Sequence, residues 1–161
     1  GELRHAEWSE IDLDTATWSI PADKMKMRNA HVVPLPRQAV DLLQSLQPLT
    51  GSGRYVFCSL RAGKVPMSEN TVNAALRRLG YDKDTMTGHG FRGIASTLLH
   101  EQGWPHEHIE LQLAHQERNQ VSASYNHAMY LQPRAHMMQA WSNYLDGCVA
   151  GNVVPFKGKR A

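Results

Sequence analysis

Lys26, His89, Arg92, His115 and Tyr125 come in this order along the chain. Together they have the side-chain types needed to cut and reseal a phosphodiester. Cutting requires a nucleophile in line with phosphorus and positive donors on the non-bridging oxygens. It also requires an acid that protonates the departing 5′ oxygen. A tyrosine phenol suits the first task when the bond must be remade, because its phosphodiester keeps the bond energy for a returning hydroxyl. A phenol ordinarily ionises near pH ~10, so the attack needs a base or a cationic pocket beside it. A lysine, an arginine and two histidines can supply both.

Each residue has a plainer reading when taken alone. His89 could cap the helix that follows it, Arg92 could sit in a surface ion pair, and His115 could be a satisfied core histidine. Tyr125 could be packing, and Lys26 a solvated loop charge. Their joint appearance in this order favours the chemical reading. Tyr130, five residues after Tyr125, is the rival nucleophile.

The elements that must position these residues are legible as patterns. Glu7–Leu13 alternates, with Ile11 and Leu13 on one face. Asp14–Thr17 is a turn signal. Trp18–Ile20 is a second strand, stopped by Pro21, and His31–Leu35 is a third. The polar loop 22–30 between them carries Lys24, Lys26 and Arg28. Ala39, Leu42, Leu43 and Leu46 follow helical spacing, with Pro48 and Gly51 as the stop. Residues 50–66 read as loop, with Tyr55–Phe57 extended. Ser68 is a candidate N-cap for a helix with Val72, Ala75, Leu76 and Leu79 on its buried stripe and Gly80 as its stop. Phe91, Ala95, Leu98 and Leu99 mark a helix ending before Gly103. Pro105 opens the next, with Ile109 and Leu113 facing inward. Met137, Met138, Trp141, Tyr144 and Leu145 line a last helix, after which the chain reads as irregular from Asp146. The fold class is therefore α+β and mainly α-helical: a small three-stranded antiparallel sheet followed by a helical bundle. Residues 1–146 read as one partial domain and 147–161 as a tail.

At 161 residues the chain suits a single core. No apolar run is long enough to span a bilayer, and no signal peptide opens the sequence. Cys58 and Cys148 read as free thiols of a reducing cytoplasm. The nine histidines follow no metal-ligand spacing. Net charge is only +2, but it is unevenly spread. Residues 1–14 hold five acids against Arg4, whereas residues 24–92 hold eleven Lys or Arg against four acids. That split fits one basic face meeting a phosphate backbone, and it fits scattered solvated charges equally well. Lys24 and Arg28, beside Lys26, are expected to touch DNA phosphates. For Arg77 and Arg78 a solvated helix edge is the leading reading, with a backbone contact the lesser one.

These residues resemble the catalytic domain of the tyrosine recombinases, and within that family the integrases of satellite phages and genomic islands. His89-Gly90-Phe91-Arg92 matches the family's H-x-x-R box. Leu113-Ala114-His115 matches its leucine-glycine-histidine box, with alanine in place of glycine. Tyr125 follows His115 at the usual offset of ten, and Lys26 precedes Pro34 by eight, where the family keeps its hairpin lysine. Met25–Arg28, Pro66–Val72 and Met137–Trp141 look like the satellite-phage subgroup.

The resemblance implies that Arg92 clamps the scissile phosphate and that His89 exchanges a proton with the tyrosine. It implies that His115 donates to the phosphate, Lys26 protonates the leaving oxygen and Tyr125 attacks. It further implies double-stranded DNA attachment sites, a homotetramer on DNA, accessory DNA-bending proteins and a place at the bacterial nucleoid. Neither a metal nor a nucleotide cofactor is called for. The family's first catalytic arginine precedes a stretch like Gly1-Glu2-Leu3, so it is expected upstream of Gly1. Glu2 would support the site from behind. On this view the chain is a fragment that cleaves poorly alone and leaves apolar surface uncovered, and Val153–Phe156 packs on a neighbouring protomer or trails as a tail. The alternatives are a degenerate integrase that binds DNA without cutting it and a type IB topoisomerase.

Overall fold

A computed structural model describes residues 1–26, 28–59, 61, 63–114 and 130–151. His115, Tyr125 and the segment 153–156 lie outside the described residues.

Strands β1 (Ile11–Asp12), β2 (Thr17–Ile20) and β3 (His31–Pro34) form an antiparallel sheet in that order. The β1–β2 turn closes on the Asp12 carboxylate, which accepts from the Asp14 and Thr15 N–H groups at 3.0 and 2.9 Å. Such an Asx turn lets a side chain replace a backbone partner. β2 pairs with β3 from Thr17 opposite Pro34 to Ile20 opposite His31. Pro21 then ends β2, as its sequence position predicts. The alternation over Glu7–Leu13, however, is not one strand. Trp8–Glu10 is a 3-10 turn, held by the Glu7 N–H donating to the Glu10 carboxylate at 3.2 Å. Local capping outcompetes the strand there, and only Ile11–Asp12 pair with β2.

Helix α1 (Arg37–Thr50) leaves Ala39, Leu43 and Leu46 half-buried, but Leu42 is 70% exposed. Pro48 lies inside its last turn instead of ending it. There its missing N–H costs a single bond, and Gly51 closes the helix with an N–H to the Gln47 carbonyl at 2.7 Å. Helix α2 (Thr71–Arg78) is preceded by Asn70, not by Ser68 as cap. The Ser68 carbonyl instead accepts from the Thr71 N–H at 3.0 Å. Leu76 is buried, while Leu79 is left exposed. Gly80, at φ +92°, stops the helix. Its N–H reaches Arg77 and that of Tyr81 reaches Leu76, both at 3.1 Å, a two-bond stop that needs a left-handed residue.

Helices α3 (Gly90–Glu101), α4 (His106–Gln112) and α5 (Leu131–Val149) share the main core. Leu99, Ile109 and Met137, one from each, are fully buried, with Trp104, Leu113, Met138 and Trp141 around them. Burying each of these three side chains contributes about 1.5–3 kcal/mol. α5 runs through Gly147 to Val149, so the expected irregularity after Asp146 is corrected. A smooth helix needs only i to i−4 bonding, which one glycine weakens but does not stop. α5 packs on β3, which joins the bundle to the sheet. Leu42, Leu49, Leu79, Phe91 and Ile94 leave apolar surface exposed.

Candidate active site

The β2–β3 connection is clamped at its root. Lys24 closes the 3-10 turn Ala22–Lys24, and its Nζ donates to the His5 carbonyl at 3.0 Å, to Glu7 Oε1 at 2.5 Å and to Glu10 Oε1. An ammonium has three N–H bonds, and all three are used. Burial alone would lower the Lys24 pKa, but the bonds to Glu10 and Glu7 outweigh it and hold it above the ordinary value. A phosphate contact by Lys24 would have to displace one of these three bonds. Glu7 also receives Arg54 through both carboxylate oxygens at 2.9 Å. The Arg54 bond first, and the Lys24 bond second, hold its carboxyl down at about 2. Glu10 Oε2 accepts from the Trp18 indole at 3.1 Å, which ties the network to β2.

Two residues beyond this clamp stands Lys26. It is exposed and has no hydrogen-bond or ion-pair partner among the described residues. It lines a cavity of about 360 Å3 shared with Glu2, His5, Glu7, Arg54 and Tyr55. Arg28 is exposed as well, with φ +54°.

Arg92 is half-buried on the first turn of α3. The Glu2 carboxyl is held below its ordinary pKa, chiefly by its own backbone N–H, with the Arg92 charge among the smaller causes. Glu2 thus lies on the wall that Lys26 lines and within electrostatic reach of Arg92. His89 is the exposed residue before α3, and its carbonyl accepts from the Arg92 N–H at 3.1 Å. Placed three apart at a helix start, His89 and Arg92 present neighbouring side chains.

The approach to His89 is built by side chain to backbone bonds. The Arg77 guanidinium donates twice to the Met86 carbonyl at 3.0 Å and also to the Tyr81 carbonyl. Asn73 Oδ1 accepts from the Gly88 N–H at 2.9 Å. Gly90 sits so close to Met86 that a Cβ there would meet its sulfur at 3.1 Å. The Arg77 guanidinium is thus directed at the loop 81–87. Arg78 remains exposed at the end of α2.

His115 and Tyr125 lie outside the described residues, but both ends of their segment are described. Leu113 packs on the core, and Ala114 ends α4 with φ +49° and an N–H to the Leu111 carbonyl at 3.1 Å. At the other end Tyr130 is half-buried at the start of α5, its ring 5.0 Å from that of His108. The rival tyrosine is thus packed onto α4.

Residues 1–132 match the Phage integrase family. The chain is 45% identical over 160 residues to the integrase of Enterobacteria phage P4, covering 90% of this chain and 36% of that protein. It is 41% identical over 153 residues to the prophage integrase IntA of Escherichia coli strain K12, covering 95% of this chain and 37% of that protein. This chain belongs to the phage integrase family. The crystal structure of XerA recombinase superposes with a TM-score of 0.59 at 21% identity, over 88% of this chain and 52% of that one, and bears out the mixed α+β fold. The chain spans well under half the length of these curated relatives.

Within an integrase-like frame, the positive φ of Ala114 accounts for the glycine expected at that position. Left-handed backbone disfavours a Cβ by about 1–2 kcal/mol. Arg4, set apart from the catalytic set by its place in the sequence, donates from Nε to the Met67 carbonyl at 3.0 Å.

The residue that sequence reasoning missed is Arg134, on the first turn of α5. It is fully buried, and burial lowers its pKa to about 10. It donates from Nε and Nη2 to Gln112 Oε1 at 3.1 and 2.9 Å, and from Nη2 to the Val32 carbonyl at 2.7 Å. No group of three His, Cys, Asp or Glu able to hold a metal occurs among the described residues, and no described helix is long and apolar enough to cross a membrane.

Proposed function

We propose that this chain is the catalytic part of a tyrosine-type site-specific DNA integrase. The reading is supported by the exposed hairpin Lys26 on a cavity wall shared with Glu2 and by His89 and Arg92 three apart at the start of α3, in a chain of the phage integrase family. Tyr125 Oη attacks the scissile phosphorus and passes its proton to His89. Arg92 and His115 hold the non-bridging oxygens as charge builds on them. The P–O5′ bond breaks, Lys26 gives its proton to O5′, and the 3′ end stays on Tyr125 as a phosphotyrosine. A 5′-hydroxyl from a partner strand reverses these steps and reseals DNA. Because the phosphotyrosine keeps the bond energy, the exchange needs no nucleotide cofactor. The part that carries this chemistry runs through the end of α5 at Val149. The working assembly is a homotetramer on two double-stranded attachment sites, aided by DNA-bending proteins, in the bacterial cytoplasm.

Covalent trapping tests the proposal. The product of the complete gene is incubated with nicked duplexes from candidate integration sites, and denaturant-resistant protein–DNA adducts are counted. Adducts are expected from wild type and Tyr130→Phe and none from Tyr125→Phe. Adducts that vanish only with Tyr130→Phe would reassign the nucleophile. Specific binding without any adduct would leave a DNA-binding module in place of an enzyme, and cleavage without strand exchange between two sites would point to a topoisomerase.

A further inference from the structure

We propose that Arg134 is a positioning residue for strand transfer: from inside the fold, its guanidinium ties α4, which leads to His115, and α5, which follows Tyr125, to β3, the strand that leaves the Lys26 hairpin. The inference rests on the integrase reading above. Arg134 lies nine residues after Tyr125 and Gln112 three before His115, while Val32 lies six after Lys26 on the strand that leaves the hairpin. One planar group therefore bonds both flanks of the Tyr125 segment to each other and to β3. A guanidinium is suited to this because its donors diverge at fixed angles in one plane, whereas an ammonium on a flexible stem fixes no angle.

Stability does not explain the arginine. Its side chain is fully buried, has no carboxylate partner among the described residues, and leaves Nη1 without a hydrogen bond. A buried charge without a counter-charge is costly, and an apolar side chain of similar length is often the more stable choice. What the arginine adds over a methionine is a set of directed bonds among three elements that the proposed chemistry must hold in register. Displacing a reacting group by about 1 Å can slow a reaction on the order of 100-fold, so a small loss of register is enough to be measured.

The test uses the product of the complete gene and compares Arg134→Met, Gln112→Leu, Gln112→Glu, Lys26→Met and Tyr125→Phe with wild type. Three quantities are read: the affinity for attachment-site duplex, the thermal midpoint, and the single-turnover rate of adduct formation. The rate is measured on ordinary DNA and on DNA whose scissile 5′ oxygen is replaced by sulfur, which departs without a proton. Arg134→Met is expected to keep the affinity within about twofold and the midpoint within a few degrees while its rate falls on the order of 100-fold. The sulfur substrate should restore Lys26→Met in full and Arg134→Met only in part, since the latter also displaces the nucleophile. Gln112→Glu, which keeps the acceptor and adds the missing counter-charge, should retain the rate and raise the midpoint.

A wild-type rate in Arg134→Met, or a rate loss that only tracks lost affinity or lost midpoint, would overturn the proposal. Should Arg134→Met fail to fold, Gln112→Leu decides: a folded variant with a wild-type rate rejects the inference. Wild-type protein that forms no adduct, or adducts that survive Tyr125→Phe, would overturn the integrase reading itself. Tyr125-dependent adducts alongside a normal Arg134→Met would overturn this inference alone.

Discussion

The sheet and the helical bundle are held together by opposite means. Around β2 and the hairpin root, the fixing contacts are ionic: Lys24 and Arg54 converge on Glu7, and Glu10 bridges Lys24 to Trp18. Across α3, α4 and α5 they are mainly apolar, with Leu99, Ile109 and Met137 fully buried and the Arg134–Gln112 bonds between α5 and α4 as the polar exception. The difference follows from what each region must expose. A short hairpin that keeps a lysine in solvent has little apolar area to bury, so charge pairing at its root sets its direction. The bundle has area to spare, and close packing sets its geometry. The two regions should therefore fail under different stresses.

The largest effect is expected in the bundle. Ile109→Ala should cost about 3–4 kcal/mol, as buried large-to-small changes do when the site cannot collapse. Chemical denaturation measures it, and a loss below about 1 kcal/mol would show that the helices are not close-packed there.

Acid probes the other region. The folded Glu7 carboxyl sits at about 2 against an ordinary 4.5. An acid with a depressed folded pKa contributes stability that is complete above its unfolded value and lost as pH falls towards the folded one. Urea midpoints should thus drop between pH 4.5 and 2, and Glu7→Gln should flatten that drop. An unchanged pH slope in the variant would remove Glu7 from the explanation. The smallest stability change sharpens the boundary between the regions. Ala114→Gly should stabilise by about 0.5–1 kcal/mol, since glycine removes the left-handed cost but adds freedom to the unfolded chain. A destabilised Ala114→Gly would mean that its Cβ makes a contact worth more than the backbone cost.

Much of the architecture was readable where periodicity and stop signals agree. α3 and α4 fall where their apolar spacing, Gly103 and Pro105 put them, and the three strands pair as their turns require. The failures have physical causes. The Glu7–Leu13 alternation was genuine as a pattern, but a side-chain cap competes with strand pairing and leaves no mark on alternation. Leu42 and Leu79 lie on apolar stripes yet are exposed, because a stripe shows which face could be buried and not what covers it. At the candidate site, the family boxes single out Lys26, which stands exposed on the hairpin, and His89 and Arg92, which stand three apart at the start of α3. The run Lys24, Lys26, Arg28 looked uniform because its acids lie 14 and 17 residues upstream. The pair Glu7 and Glu10, one turn apart, was the available signal. Arg134 carried no warning, since an arginine on a helix is ordinarily a surface residue.

The clamp on Lys24 changes what a polyanion would meet at the hairpin. Displacement of condensed ions from DNA counts only cations that actually reach phosphates, at about 0.9 in the slope of log K against log salt for each. Lys24, already neutralised by two carboxylates, should release none. Lys26→Met should therefore flatten the salt dependence of DNA binding by about 0.9, while Lys24→Met should leave the slope alone and weaken the fold. In ionic terms the hairpin is a two-charge electrode mounted on an insulated base, and the third positive charge belongs to the mounting.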